Sequence, residues 1–200
     1  MLQQRSIRFL IQLGVLSIGL LACRRETFEP DGPPGQYSDY YWGEVSGSRN
    51  GISFFVPRVS GVYHYSPDEQ WCYANTCNVQ ITEFDNGGTQ RTQVFFSKVP
   101  KNPGTYRELT GAAQTCAKDS IPSVRFYLLE GDALLNTYLP IAAGSNSITI
   151  LSFDEKTTEI RGSFDFTAVA ERITGPNDPD KVRCIGQFHT KLRKADQTFQ

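Results

Sequence analysis

The stretch EIRGSFDFTAVA, residues 159–170, alternates along its whole length. Ile160, Gly162, Phe164, Phe166, Ala168 and Ala170 fall on one side, and Arg161, Ser163, Asp165 and Thr167 on the other. A period of two marks a strand with one buried face. Lys181 to Leu192 repeats the pattern, with Val182, Cys184, Gly186, Phe188 and Leu192 together. Ser147 to Phe153 precedes both and places Ile148 and Ile150 on one face, and Asp154 to Thr158 turns the chain between them.

Working outward from these strands, the rest of the chain reads as strands and turns. Tyr40 to Val45 and Gly51 to Val59 form a first pair around Gly47 and Asn50-Gly51, with Pro57 at an edge or a strand end. Gly61 to Tyr65 extends it, and Ser66 to Thr76 is a polar loop. Cys77 to Phe84 and Thr89 to Val99 flank Asp85-Asn86-Gly87-Gly88, a strong hairpin signal. Asn102-Pro103-Gly104 leads into a short strand at Thr105 to Leu109, Thr110 to Pro122 is a loop, and Ser123 to Glu130 pairs with Asn136 to Leu139 across Gly131-Asp132. About ten strands with short turns and no convincing helix predict an all-β fold, an antiparallel meander forming a β-sandwich or flattened barrel. Alternation alone does not choose between the two closures.

The N-terminal residues have another character. Arg5 and Arg8 precede a short apolar run from Phe9 to Leu21. A comfortable membrane span needs about 20 apolar residues, so the run fits the h-region of a secretory signal. Leu20-Leu21-Ala22-Cys23 resembles the lipobox of bacterial lipoproteins. That resemblance implies a signal peptide over 1–22, diacylglyceryl transfer to the Cys23 thiol, cleavage before Cys23, and acylation of the new amine. Each buried methylene of a lipid chain contributes about 0.8 kcal/mol, and two or more chains anchor stably. Arg24 is not the aspartate of the inner-membrane retention rule, which favours the outer membrane. Arg24-Arg25-Glu26 departs from the acidic stretch of surface-exported lipoproteins, so the periplasmic and outward faces both stay open.

Residues 23–36 are rich in Pro, Gly and charge and read as a tether, which fully extended reaches on the order of 45 Å. A single β domain is expected over 37–195. The formal charge of −1 for the whole chain becomes −3 once Arg5 and Arg8 leave with the signal. No basic face is implied, and nucleic acid is not expected as a partner.

The segment TYLPIAAGSNSITILSFDEKTTEIRGSFDFTAVA, residues 137–170, is similar to one shared by uncharacterised lipoproteins of the Bacteroidota. In them an I-T-I strand, here Ile148-Thr149-Ile150, meets an acidic turn, here Asp154-Glu155-Lys156, and then a G-x-F-x-F strand, here residues 162–166. The resemblance implies a β-rich domain of unknown function in the bacterial envelope. It brings no activity with it.

Cys72, Cys77, Cys116 and Cys184 remain after Cys23. In an oxidising compartment an even number reads as disulfides. The rival, a zinc site, lacks the C-x-x-C knuckle. Of the three possible pairings, Cys72–Cys77 with Cys116–Cys184 is favoured, because the first pair closes locally across Tyr73 to Thr76. The long loop would contribute roughly 4 kcal/mol and the short one about 2 kcal/mol on the chain-entropy account.

Motifs for chemistry are sparse. His64 and His189 are the only histidines, and neither has a nucleophile motif nearby or metal-ligand spacing. The carboxylate pairs Asp68-Glu69, Asp154-Glu155 and Asp178-Asp180 fall in turns, where solvated acids are ordinary, and NDPD at 177–180 lacks the ligand spacing of a calcium loop. No catalytic residue, metal or cofactor is expected. Asp119-Ser120-Ile121 resembles a short O-glycosylation acceptor, which makes Ser120 a modification candidate. The aromatic cluster is the best functional hint: Tyr41, Trp42, Trp71 and Tyr73 are the binding candidates, because exposed Tyr and Trp anchor interfaces and stack on sugar rings. The same residues would equally suit the core and rim of an aromatic-rich sheet. Two functions follow: an outer-membrane-anchored, non-catalytic module that binds an envelope protein or glycan, or a hydrolase acting on envelope or dietary polymers.

Overall fold

The computed structural model describes residues 42–56, 59–63, 75–111, 121–141, 146–172 and 178–194. All of its strands fall in the unit running from Gly35 to Gln200. They are β1 (Gly43–Arg49), β2 (Ile52–Val56), β3 (Val59–Tyr63), β4 (Thr76–Phe84), β5 (Gln90–Pro100), β6 (Gly104–Arg107), β7 (Ser123–Glu130), β8 (Ala133–Pro140), β9 (Ser147–Phe153), β10 (Glu159–Ala170) and β11 (Lys181–Lys194). No helix occurs among the described residues, and the fold is all-β as expected. The turns follow their sequence signals. Asn50 and Gly51 both have positive φ (50° and 81°), the backbone of a type I′ turn between β1 and β2.

The strands run in the order β2-β1-β11-β3-β4-β5-β7-β8-β10-β9-β6, with an additional β10–β11 pairing. That pairing closes a ring of hydrogen bonds through β11, β3, β4, β5, β7, β8 and β10. It is not a regular barrel. The long β10–β11 hairpin changes partner along its length on both sides. β10 pairs with β9 through Ile160–Asp165 and with β8 through Ala168–Ala170. β11 pairs with β1 through Cys184–Thr190 and with β3 through Leu192–Lys194. Two layers result, β2-β1-β11-β10-β9-β6 and β3-β4-β5-β7-β8, joined at opposite corners. The β11–β3 contact is parallel, so the sheet is mixed rather than a pure meander.

Polar side chains repair the corners where partners change. Between the β9 and β8 segments, Thr167 N donates to Asn146 Oδ1 at 2.8 Å, and Asn146 Nδ2 donates to Ile141 O at 2.6 Å. At the other corner Thr190 Oγ1 donates to Trp42 O at 2.7 Å. Asn146 and Thr190 are buried, and a buried backbone group needs a partner.

The core lies between the layers. Phe96 of β5 meets Phe164 and Phe166 of β10, with ring centroids 5.3 and 5.8 Å apart. Two in-register pairs are reciprocal: Gly162 faces Phe188, and Phe164 faces Gly186. A Cβ on Gly162 would lie 2.6 Å from Phe188 Cζ, and one on Gly186 would lie 2.6 Å from Phe164 Cζ. Each glycine makes room for the ring on its neighbour.

The expected disulfides need correction. Cys77 and Cys184 are both free and buried, so neither Cys72–Cys77 nor Cys116–Cys184 is formed. Cys72 and Cys116 lie outside the described residues. Cys77 points inward from β4, flanked in register by Tyr63 and Val99, and Cys184 points inward from β11. Each serves as a small core hydrophobe. Burial pushes both thiols from the ordinary 9.0 up to about 12, which leaves them protonated and unreactive at neutral pH.

Candidate functional site

The strand period that buries Phe164, Phe166 and Phe188 sends their neighbours to the outer face of the β2-β1-β11-β10-β9-β6 layer. The registers line these outward residues into rows across all six strands. One row runs Phe55, Ser46, Gln187, Ser163, Thr149, Thr105. The next runs Ser53, Ser48, Ile185, Asp165, Ser147, Arg107. Thr105 and Thr149 lie with their hydroxyl oxygens 3.0 Å apart. A shallow groove of about 480 Å³ follows these rows over β1, β11, β10 and β9. Gly47 and Gly186, paired across β1 and β11, line it with backbone alone.

The groove's electrostatics are nearly neutral. The first row carries no charged residue. In the second, Arg183 Nη2 donates to Asp165 Oδ2 at 2.8 Å. The same nitrogen lies 2.7 Å from Oδ1 without being aimed at it, so Oδ1 has an ion-pair neighbour but no hydrogen-bond donor. Arg107 ends that row on β6, outside the groove, and further charge gathers along one flank, where Glu44, His189 and Arg161 form the adjoining row. There His189 Nε2 lies 3.1 Å from Glu159 Oε2, and Lys191 Nζ lies 3.8 Å from Glu159 Oε1.

Trp42 is the one expected binding aromatic that falls among the described residues. It is half-buried at the entry to β1, edge-on to His189 with centroids 5.0 Å apart, and Lys191 Nζ sits 4.3 Å above its ring. A cation over one face and an imidazole at its edge make it part of the charged flank rather than an open stacking platform. Tyr41, Trp71 and Tyr73 lie outside the described residues, as do Cys23, His64, Asp68, Glu69 and Ser120.

Of the carboxylate pairs read from the sequence, Asp154 has a local role. Asp154 Oδ1 accepts from Lys156 N at 2.7 Å and Thr157 N at 3.2 Å, which shapes the β9–β10 turn. Among the described residues no group of three or more His, Cys, Asp or Glu is placed to hold a metal ion. His189 is engaged by a carboxylate, a tryptophan edge and, through the register, Arg161.

Sequence reasoning missed Phe55. It is 60% exposed on edge strand β2, beside Ser46 at the end of the uncharged row. The run Ile52-Ser53-Phe54-Phe55-Val56 hides which phenylalanine faces outward, and only the pairing of β2 with β1 assigns it. The polar row was equally hidden, because its four hydroxyls and one amide come from five separate strands.

No family model matches this chain, and no curated protein or solved structure matches it either.

Proposed function

We propose that the chain is an outer-membrane lipoprotein, anchored through Cys23, whose β domain is a non-catalytic binding module. Its ligand seat is the groove on the outer face of the β1-β11-β10-β9 strands. One observation carries this reading: the groove presents Ser46, Gln187 and Ser163 in register, groups that both donate and accept hydrogen bonds, and Thr149 continues their row on β9. A solubilising surface mixes charged side chains into about a quarter to a third of its positions, as the flanking Glu44–His189–Arg161 row does, and the row through Ser46 and Ser163 has none. The lipobox supports the location, and the tether would hold the domain within tens of ångströms of the bilayer.

Two measurements test it. Cys23→Ser should abolish incorporation of labelled fatty acid and displace the protein from the outer-membrane fraction; unchanged labelling and fractionation would overturn the anchor. Ser163→Trp fills the groove from the middle of β10. The detergent-solubilised wild-type protein should retain a component of an envelope extract or glycan panel that the Ser163→Trp protein does not. Identical retention by both would remove the groove as the ligand seat.

A further inference from the structure

We infer that the ligand of this groove is a neutral, extended oligosaccharide lying across the strands, with Phe55 as the stacking platform at one end. The inference rests on the groove being the ligand seat and narrows what sits there.

Three independent features point the same way. The first is shape. The groove crosses four strands and its row continues onto β2 and β6, so six strands at a spacing of about 4.8 Å give a row on the order of 24 Å long, which suits a linear chain of several sugar rings better than a compact metabolite. The second is chemistry. Along the first row every side chain between β1 and β6 is a hydroxyl or an amide. Such groups match a periphery of hydroxyls, which also donates and accepts. A peptide would draw its affinity from side chains in apolar pockets or from strand addition along an edge, and a groove running across the strands offers neither. The third is the end of the row. Phe55 is 60% exposed in register with Ser46, and an exposed aromatic face beside hydrogen-bonding groups fits the apolar face and hydroxyl rim of a pyranose.

Charge decides the subclass. Arg183, beside the groove, offsets Asp165 on its floor, Arg107 lies beyond the floor on β6, and the strongly charged row lies to one side. An anionic chain would find no concentrated positive field along the floor. Asp165 Oδ1, which has no hydrogen-bond donor, is an acceptor suited to a sugar hydroxyl once the carboxylate turns slightly.

The test is calorimetric titration of the detergent-solubilised full-length protein with neutral gluco-, manno- and xylo-configured hexasaccharides, alongside a hexamer of galacturonate. At least one neutral hexasaccharide should bind, with the galacturonate chain weaker. Phe55→Ala should weaken that binding by about tenfold or more, the scale of a lost aromatic anchor, with an unchanged melting temperature because the ring is exposed. Leu134→Ala, exposed on β8 of the other layer, should leave binding as it was. Absence of binding by every neutral hexasaccharide at millimolar concentration overturns the inference, as does tighter binding of galacturonate or full retention of affinity in Phe55→Ala. If Ser163→Trp still abolishes capture of an envelope component while no neutral hexasaccharide binds, the sugar assignment falls and the groove remains the seat. If Ser163→Trp changes neither, both fall.

Discussion

On its inward side the β10–β11 hairpin carries Gly162, Phe164, Phe166, Gly186 and Phe188; one residue along, its outward side carries Ser163, Asp165, Ile185 and Gln187. Inward, each position is decided by its neighbour's volume. Phe188 needs Gly162 bare, Phe164 needs Gly186 bare, and Phe96 closes over both phenylalanines of β10 from the other layer. Outward, Asp165 is held by Arg183, and Ser163, Asp165 and Gln187 share hydrogen-bonding capacity rather than a fitted volume. The same alternation thus supplies a face with almost no tolerance and a face free to be shaped by a ligand.

The largest expected effect is on the inward side. Phe164→Ala should cost about 3–5 kcal/mol in urea unfolding, by lost burial and a cavity between the layers. Gly162→Val should also destabilise strongly, and pairing it with Phe188→Ala should recover part of the loss. Additive losses would break the idea of reciprocal packing.

A smaller loss is expected at the corner. Asn146→Ala removes the acceptor of Thr167 N and the donor to Ile141 O, leaving buried backbone unsatisfied at about 1–3 kcal/mol. An unchanged unfolding midpoint would mean that the partner switch on β10 needs no side-chain repair.

The buried thiols give a pH-dependent test. Their folded values, about 12, lie above the ordinary 9.0. The stability they contribute is complete below pH 9 and is lost as pH rises toward 12, because the unfolded thiols ionise first. The urea midpoint should fall over that window, and less so in a Cys77→Val, Cys184→Val protein. In the native protein at neutral pH both cysteines should resist alkylation, whereas denaturation without reductant should expose both. Failure of either to label would show that it is bridged after all.

The smallest effects belong outward. Asp165→Asn weakens a partly exposed ion pair with Arg183 and should cost under about 1 kcal/mol, while Ser163→Thr should stay within about 0.5 kcal/mol. A loss at Ser163 comparable to that at Phe164 would erase the contrast between the faces.

Much of this fold was legible in the chain. Period-two alternation placed β10 and β11 to within a residue or two, and Asn50-Gly51, Asp85-Asn86-Gly87-Gly88 and Gly131-Asp132 marked three turns correctly. These are local signals, set by backbone sterics and by which side of a strand meets water. The cysteines misled because an even count says nothing about where thiols point; Cys77 and Cys184 each face the core from separate strands.

The sequence by itself determined most of the strands, their turns and the inward residues of the last hairpin. Tertiary structure alone decided that β3 joins β11 in parallel, that the ring closes at two corners held by Asn146 and Thr190, and that Phe55 faces the same way as Ser46, Gln187 and Ser163. The physical reason is range. A strand's own alternation records which residues are buried, but the row those residues join across the sheet depends on register with strands up to about a hundred and forty residues away.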